Sequence, residues 1–164
     1  MSAESVDTAM MRRALELARE AAVNGEVPVG AVVWETATGR ILGEGRNRRE
    51  EDRDPSAHAE HIAILAASRA VGDWRLNLCS LAVTLEPCPM CAGLIVNARV
   101  GRVVFGASDP KAGACQTLYA ITTDERLNHR AEVTGGVLAE ESAELLRSFF
   151  RERRGKPGDP GSGG

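Results

Sequence analysis

No apolar run in this 164-residue sequence is long enough to cross a bilayer. The stretch from Met1 to Arg13 has no apolar segment between a basic start and a cleavage site, so no secretory signal is expected there. An excess of positive charge is also missing: 20 Lys and Arg stand against 23 Asp and Glu, for a net charge of −3 and a pI near 5.7. That excludes a generally basic nucleic-acid binder, but not a local basic patch. No internal repeat is visible. With 43% hydrophobic and 26% charged residues, the composition is that of one globular domain, expected in the cytoplasm with no membrane attachment.

Cysteine is scarce, and its placement argues against disulfides. Cys88 and Cys91 form a Cys-x-x-Cys pair, which in a reducing compartment reads as metal-binding or redox-active. Cys79 and Cys115 stand alone in apolar surroundings and read as buried free thiols.

Periodicity predicts a helix over 7–24, with Asp7 or Thr8 as its cap and Gly25 after its end. Val27–Thr36 and Arg40–Arg46 read as strands around a Thr38-Gly39 turn, with Pro28 at the beginning of the first. The charged segment 47–55 is a loop. Ser56 is the expected N-cap of a helix from Ala57 to Val71, closed by Gly72. Leu81–Leu85 and Arg102–Ala107 are expected strands around a helix at Pro89–Ala98, and both middle helices are expected to be buried. Segment 116–128 is ambiguous between loop and short helix. A weak strand at Ala131–Thr134 precedes a helix at Glu140–Arg154 with Leu145, Leu146, Phe149 and Phe150 facing inward. Gly155–Gly164, rich in Gly and Pro, reads as a disordered tail. The alternation of strands and buried helices predicts an α/β domain, residues 1–154, with its sheet covered on both faces.

Two clusters carry chemistry. His58-Ala59-Glu60 opens one predicted helix, and Pro87-Cys88-Pro89-Met90-Cys91 opens another. Two thiolates and an imidazole suit tetrahedral zinc, and helix N-termini favour thiolate over thiol. Three obvious ligands rather than four point to a catalytic site with a position left for water. Glu60 is placed to move protons between that water and a leaving amine. A Cys-x-x-Cys can also be a redox pair or half of a structural zinc knuckle, and a first-turn Glu can be a surface carboxylate. The combination of His-x-Glu with Pro-Cys-x-x-Cys is instead the signature of zinc deaminases. His61, one turn from His58, reads as a packed side chain rather than a ligand. His129 either lines a substrate channel or holds a loop.

Further segments extend the likeness: Gly25-Glu26-Val27-Pro28-Val29-Gly30-Ala31-Val32, Val83-Thr84-Leu85-Glu86 leading into the Cys cluster, Arg102-Val103-Val104-Phe105-Gly106-Ala107, Asn128-His129-Arg130 and Phe149-Phe150-Arg151. With these, residues 7–154 resemble the bacterial tRNA-specific adenosine deaminases, within the cytidine-deaminase-like superfamily. The resemblance implies a three-layer α/β/α sandwich with a mixed five-stranded sheet, and a homodimer. It further implies conversion of adenosine to inosine at the wobble position of a tRNA anticodon stem-loop. His58, Cys88 and Cys91 would hold one zinc per chain and Glu60 would shuttle protons. Asn47 would hydrogen-bond the base, Val29 would pack near it, and the Ala59 N–H would contact the purine. The related alternative is a deaminase of a free base or nucleoside such as guanine; a non-catalytic zinc protein that binds RNA is the reading outside the enzymes. Arg147, Arg151, Arg153, Arg154 and Lys156 form a basic cluster that is either an RNA contact or a solvated helix end. Asp109 and Lys111 resemble positions near the substrate entrance. Cys115-Gln116-Thr117 departs from the family, which has a small, Gly-containing turn there.

Overall fold

The computed structural model describes residues 3–154. The expected tail at 155–164, including Lys156, lies outside the described residues. Helix α1 (Ala3–Val23) buries Met11, Ala14, Leu15, Ala18 and Ala21, the face its 3.6-residue period predicts. It begins before the expected cap. Asp7 sits inside the helix, because its carboxylate pairs with Arg102 at 2.9 Å instead of capping backbone N–H groups.

Strands β1 (Gly30–Glu35) and β2 (Ile41–Arg46) form a hairpin whose turn places Gly39 at φ 77°. The expected strand start at Val27 is corrected to Gly30. Pro28 has no N–H to pair, and Val29 N–H donates back to Val27 O at 2.9 Å, so the chain bends before it joins the sheet. Helix α2 (Ala59–Val71), β3 (Cys79–Leu85), α3 (Pro89–Asn97) and β4 (Arg102–Ala107) follow. The ambiguous segment contains a single 3-10 turn, Ile121–Thr123, before β5 (Glu132–Thr134) and α4 (Ala139–Arg154).

The sheet order is β2-β1-β3-β4-β5, with β1 antiparallel to both neighbours and β3, β4 and β5 parallel. Strand alternation divides the core in two. Val32, Trp34, Ala82 and Val104 pack with the α1 face, onto which α4 brings Leu145. Ala31, Val33, Leu81, Val83, Val103 and Phe105 pack with α2 and α3. Helices on both faces of a mixed five-stranded sheet make the three layers expected.

The middle helices are not buried all round: Leu65, Val71 and Met90 are exposed, since each helix covers the sheet with one face only. On α4, Phe149 is buried while Leu145, Leu146 and Phe150 are half-buried. Two glycines of β2 set how closely α2 lies on the sheet. A Cβ on Gly45 would stand 2.4 Å from Ala59 O, and one on Gly43 2.3 Å from Ala63 O.

Candidate metal centre and active site

The helix α2 begins at Ala59 and its N-cap is His58, not Ser56. The Ser56 N–H and hydroxyl both donate to Asp54 Oδ1, at 2.8 and 2.7 Å, which takes Ser56 out of the cap. His58 has extended backbone (φ −79°, ψ 152°) and its imidazole makes no cap bond. Cys88 is likewise the extended N-cap of α3, with Pro89 at the first helical turn, where a missing N–H costs nothing. Cys91 follows in that turn. Both helices start at the end of the sheet where β2 and β3 finish, so the three side chains converge.

His58 Nδ1 lies 3.6 Å from Cys88 Sγ and 3.5 Å from Cys91 Sγ, and the three donor atoms all lie within 4.8 Å of one another. Tetrahedral zinc, with Zn–S about 2.3 Å and Zn–N about 2.0–2.1 Å, separates N and S by about 3.6 Å. The donor set therefore fits a single zinc ion. His61 is not in the group, as expected.

The electrostatics agree with a cation site. A hydrogen bond from the Cys91 thiol draws Cys88 down to about 4 against the opposing effect of burial, and His58 adds to the shift. Cys91 is pushed up by that same bond and by burial, and His58 is raised chiefly by its bond to Cys88. Competing only for protons, the cluster keeps one of its two sulfurs as a thiol; a divalent cation allows both to be thiolates. Glu60, the second residue of α2, is 4% exposed, and burial raises its pKa. A carboxyl beside the metal group with a raised pKa is suited to carrying a proton.

Asn47, 9% exposed, directly follows β2, and the next residue, Arg48, donates its N–H to Ala57 O at 3.0 Å, beside His58. Its Nδ2 donates to Val27 O at 3.2 Å and its Oδ1 accepts from Arg49 N–H at 3.2 Å, so it does hold the turn. One N–H and one lone pair of the amide remain for another partner. Val29 and Ala59 share the core cluster on the α2 side, and Ala59 as first residue of α2 has an N–H without an intrahelical acceptor. His129 holds a loop, its Nε2 2.7 Å from Val100 O. Cys79 and Cys115 are free and buried. The basic cluster on α4 is less free than its sequence implies: Arg147 pairs with Glu140 and Glu144, Arg151 with Glu144, and Arg153 stacks on Phe149 at 5.0 Å. The sequence pattern assigned no role to Glu26 and Glu86, two buried carboxylates; their signs were an acidic residue set in an apolar stretch and a place in the family-like segments.

Residues 4–107 match the family of the cytidine and deoxycytidylate deaminase zinc-binding region. The chain belongs to this family. It is thus a zinc-binding deaminase, and His58, Cys88 and Cys91 lie within the matched region. It is 49% identical over 150 residues to a protein of Bacillus subtilis (strain 168) named tRNA-specific adenosine deaminase, covering 92% of both chains. A Haemophilus influenzae protein of the same name is 49% identical over 148 residues, or 90% of this chain and 85% of that one. Among solved structures, one from work on A-to-I editing by tRNA:A34 deaminases at the wobble position of transfer RNA superposes with a TM-score of 0.80 and 42% identity. It covers 85% of this chain and 99% of that one. Guanine deaminase from Nitrosomonas europaea superposes with a TM-score of 0.75 and 26% identity, over 87% of this chain and 83% of that one.

Proposed function

We propose that this deaminase hydrolyses adenosine to inosine at the wobble position of a tRNA anticodon, releasing ammonia. The observation that carries the chemistry is a group of three metal donors, with no fourth among the described residues, beside the buried carboxyl of Glu60. Near-full-length relatives at 49% identity supply the substrate class and favour it over a free base such as guanine, whose deaminase is only 26% identical.

His58, Cys88 and Cys91 would hold a zinc ion, which when bound would supply a Lewis acid that brings the pKa of water towards neutrality. Glu60 takes a proton from the water that attacks C6 of adenine and gives one to the departing amine. Asn47 reads the purine edge with its remaining donor and acceptor, the Ala59 N–H contacts the ring, and Val29 packs against it. An anticodon loop is single-stranded, so its base can be turned out into such a pocket. The reaction belongs in the cytoplasm, consistent with four cysteines that form no disulfide; among the described residues no helix is long and apolar enough to cross a membrane. The active form is a homodimer. Met90, Leu118, Tyr119 and Leu127 are exposed apolar side chains on α3 and on the segment around the 3-10 turn, and they supply a surface for a second copy. Light scattering should give twice the mass of one chain.

The test is sequencing of a tRNA with a wobble adenosine after treatment, with guanine assayed in parallel. Inosine at that position is expected; xanthine from guanine without inosine in the tRNA overturns the reading. Glu60→Gln should keep one zinc per chain while turnover falls about 10²–10⁴-fold. Cys88→Ala should lower the zinc content well below that of the parent.

A further inference from the structure

Glu26 and Glu86 are 1% and 2% exposed, and their hydrogen bonds go to backbone N–H groups and one hydroxyl rather than to a Lys or Arg among the described residues. Each spends its carboxylate on backbone. Glu26 accepts from Glu50 N–H at 3.0 Å on both oxygens and from Glu51 N–H at 2.9 Å. Glu86 accepts from the N–H groups of Asp109 (3.1 Å), Cys115 (3.1 Å), Gln116 (2.8 Å) and Thr117 (3.0 Å), and from the Thr117 hydroxyl. The second loop wraps so closely that a Cβ on Gly113 would lie 2.5 Å from the Glu86 carboxylate. Several N–H dipoles converging on a buried carboxylate offset its lost hydration and hold the donating backbone in place.

Both loops border the metal centre. The 48–54 loop runs into His58, with Arg48 N–H on Ala57 O at 3.0 Å. The 109–117 loop is tied to Pro87 O, next to Cys88, through Ala114 N–H at 2.8 Å. Their outer surfaces present Arg49, Arg53, Lys111, Gln116 and Thr117 to solvent.

We propose that Glu26 and Glu86 are positioning residues that clamp the two loops on either side of the metal centre, and so set how tightly a polynucleotide is gripped without touching the reacting atoms. The proposal rests, for its substrate, on the RNA-deaminase reading above. Replacing either carboxylate by the isosteric amide turns an NH2 group towards N–H donors, so the clamp opens while the volume is kept.

The experiment compares zinc-loaded Glu26→Gln and Glu86→Gln proteins with the parent, using an anticodon stem-loop RNA with a wobble adenosine. KM should rise at least tenfold with kcat within threefold and zinc at one per chain. Hydrogen exchange should speed up at residues 115–117 in one variant and at 50–51 in the other, each change confined to its own loop. Thr117→Val, which removes a single donor, is a milder variant should Glu86→Gln fail to fold, and should raise KM several-fold. Unchanged KM with a lowered melting temperature would make these groups fold stabilisers only. A fall in kcat at constant KM, or unchanged exchange, also overturns the proposal. A parent protein inactive on RNA defeats the substrate reading instead, and the exchange measurement, which needs no substrate, still decides the clamp.

Discussion

Gly45→Ala is the most direct probe of how the sheet sets the metal centre. The added Cβ would meet Ala59 O at 2.4 Å, Ala63 N at 2.9 Å and the Ile62 Cβ at 3.0 Å. The nearest of these is backbone, about 1 Å short of ordinary contact, so the first turn of α2 must lift from the sheet. Overpacking of this kind costs about 1–3 kcal/mol, which lowers the melting temperature of a domain this size by roughly 2–12 °C. His58 and Glu60 ride on that turn. Metal–ligand distances tolerate only about 0.2 Å, and a misplacement of about 1 Å can cost about 10²-fold in rate. Gly43→Ala is the matched control: its Cβ meets Ala63 O at 2.3 Å and Ala67 N at 2.7 Å, one turn further from the centre. Both variants should lose similar stability by thermal denaturation, while only Gly45→Ala should weaken zinc tenfold or more in a chelator competition and lose most of its activity. A Gly45→Ala protein with parental zinc affinity, or a Gly43→Ala protein that loses more zinc than it, refutes the reasoning.

Burial pushes the Cys115 thiol up to about 11 and raises Cys79 as well. Alkylation by iodoacetamide at pH 8 should therefore leave both unlabelled in the native protein, as mass spectrometry would show. The unfolded chain gives up the Cys115 proton first, so the stability this thiol contributes is present below about pH 9 and is lost as the pH rises towards 11; denaturation that is no easier at pH 10.5 than at 8.5 counts against it. Asn47→Ala should raise KM for the RNA by at least tenfold and also loosen the turn at Arg49; an unchanged KM would limit Asn47 to its bonds with Val27 and Arg49. Glu140→Gln combined with Glu144→Gln frees Arg147 and Arg151, and should tighten RNA binding and steepen its salt dependence if α4 contacts RNA; binding that ignores both changes places that helix away from the RNA.

His58, Cys88 and Cys91 were legible as a zinc group because zinc chemistry constrains residue type and spacing within each cluster. The helices and strands of the middle of the chain were legible because burial imposes its period on the sequence. Where the readings missed, a competing partner had won, whether distant in sequence or close by. Asp7 looked like a cap until Arg102, 95 positions away, took its carboxylate. Ser56 looked like a cap until Asp54 took its hydroxyl. The α4 arginines looked like free charge until Glu140 and Glu144 paired with them. Glu26 and Glu86 stood in segments that carry the family resemblance, but nothing in the sequence showed what they do, because a carboxylate that serves backbone N–H groups needs no particular residue opposite it. The sequence by itself thus determined the chemistry and the layers. Only the tertiary structure decided which loops are clamped to the centre, since that depends on backbone dipoles converging from segments up to 31 residues apart.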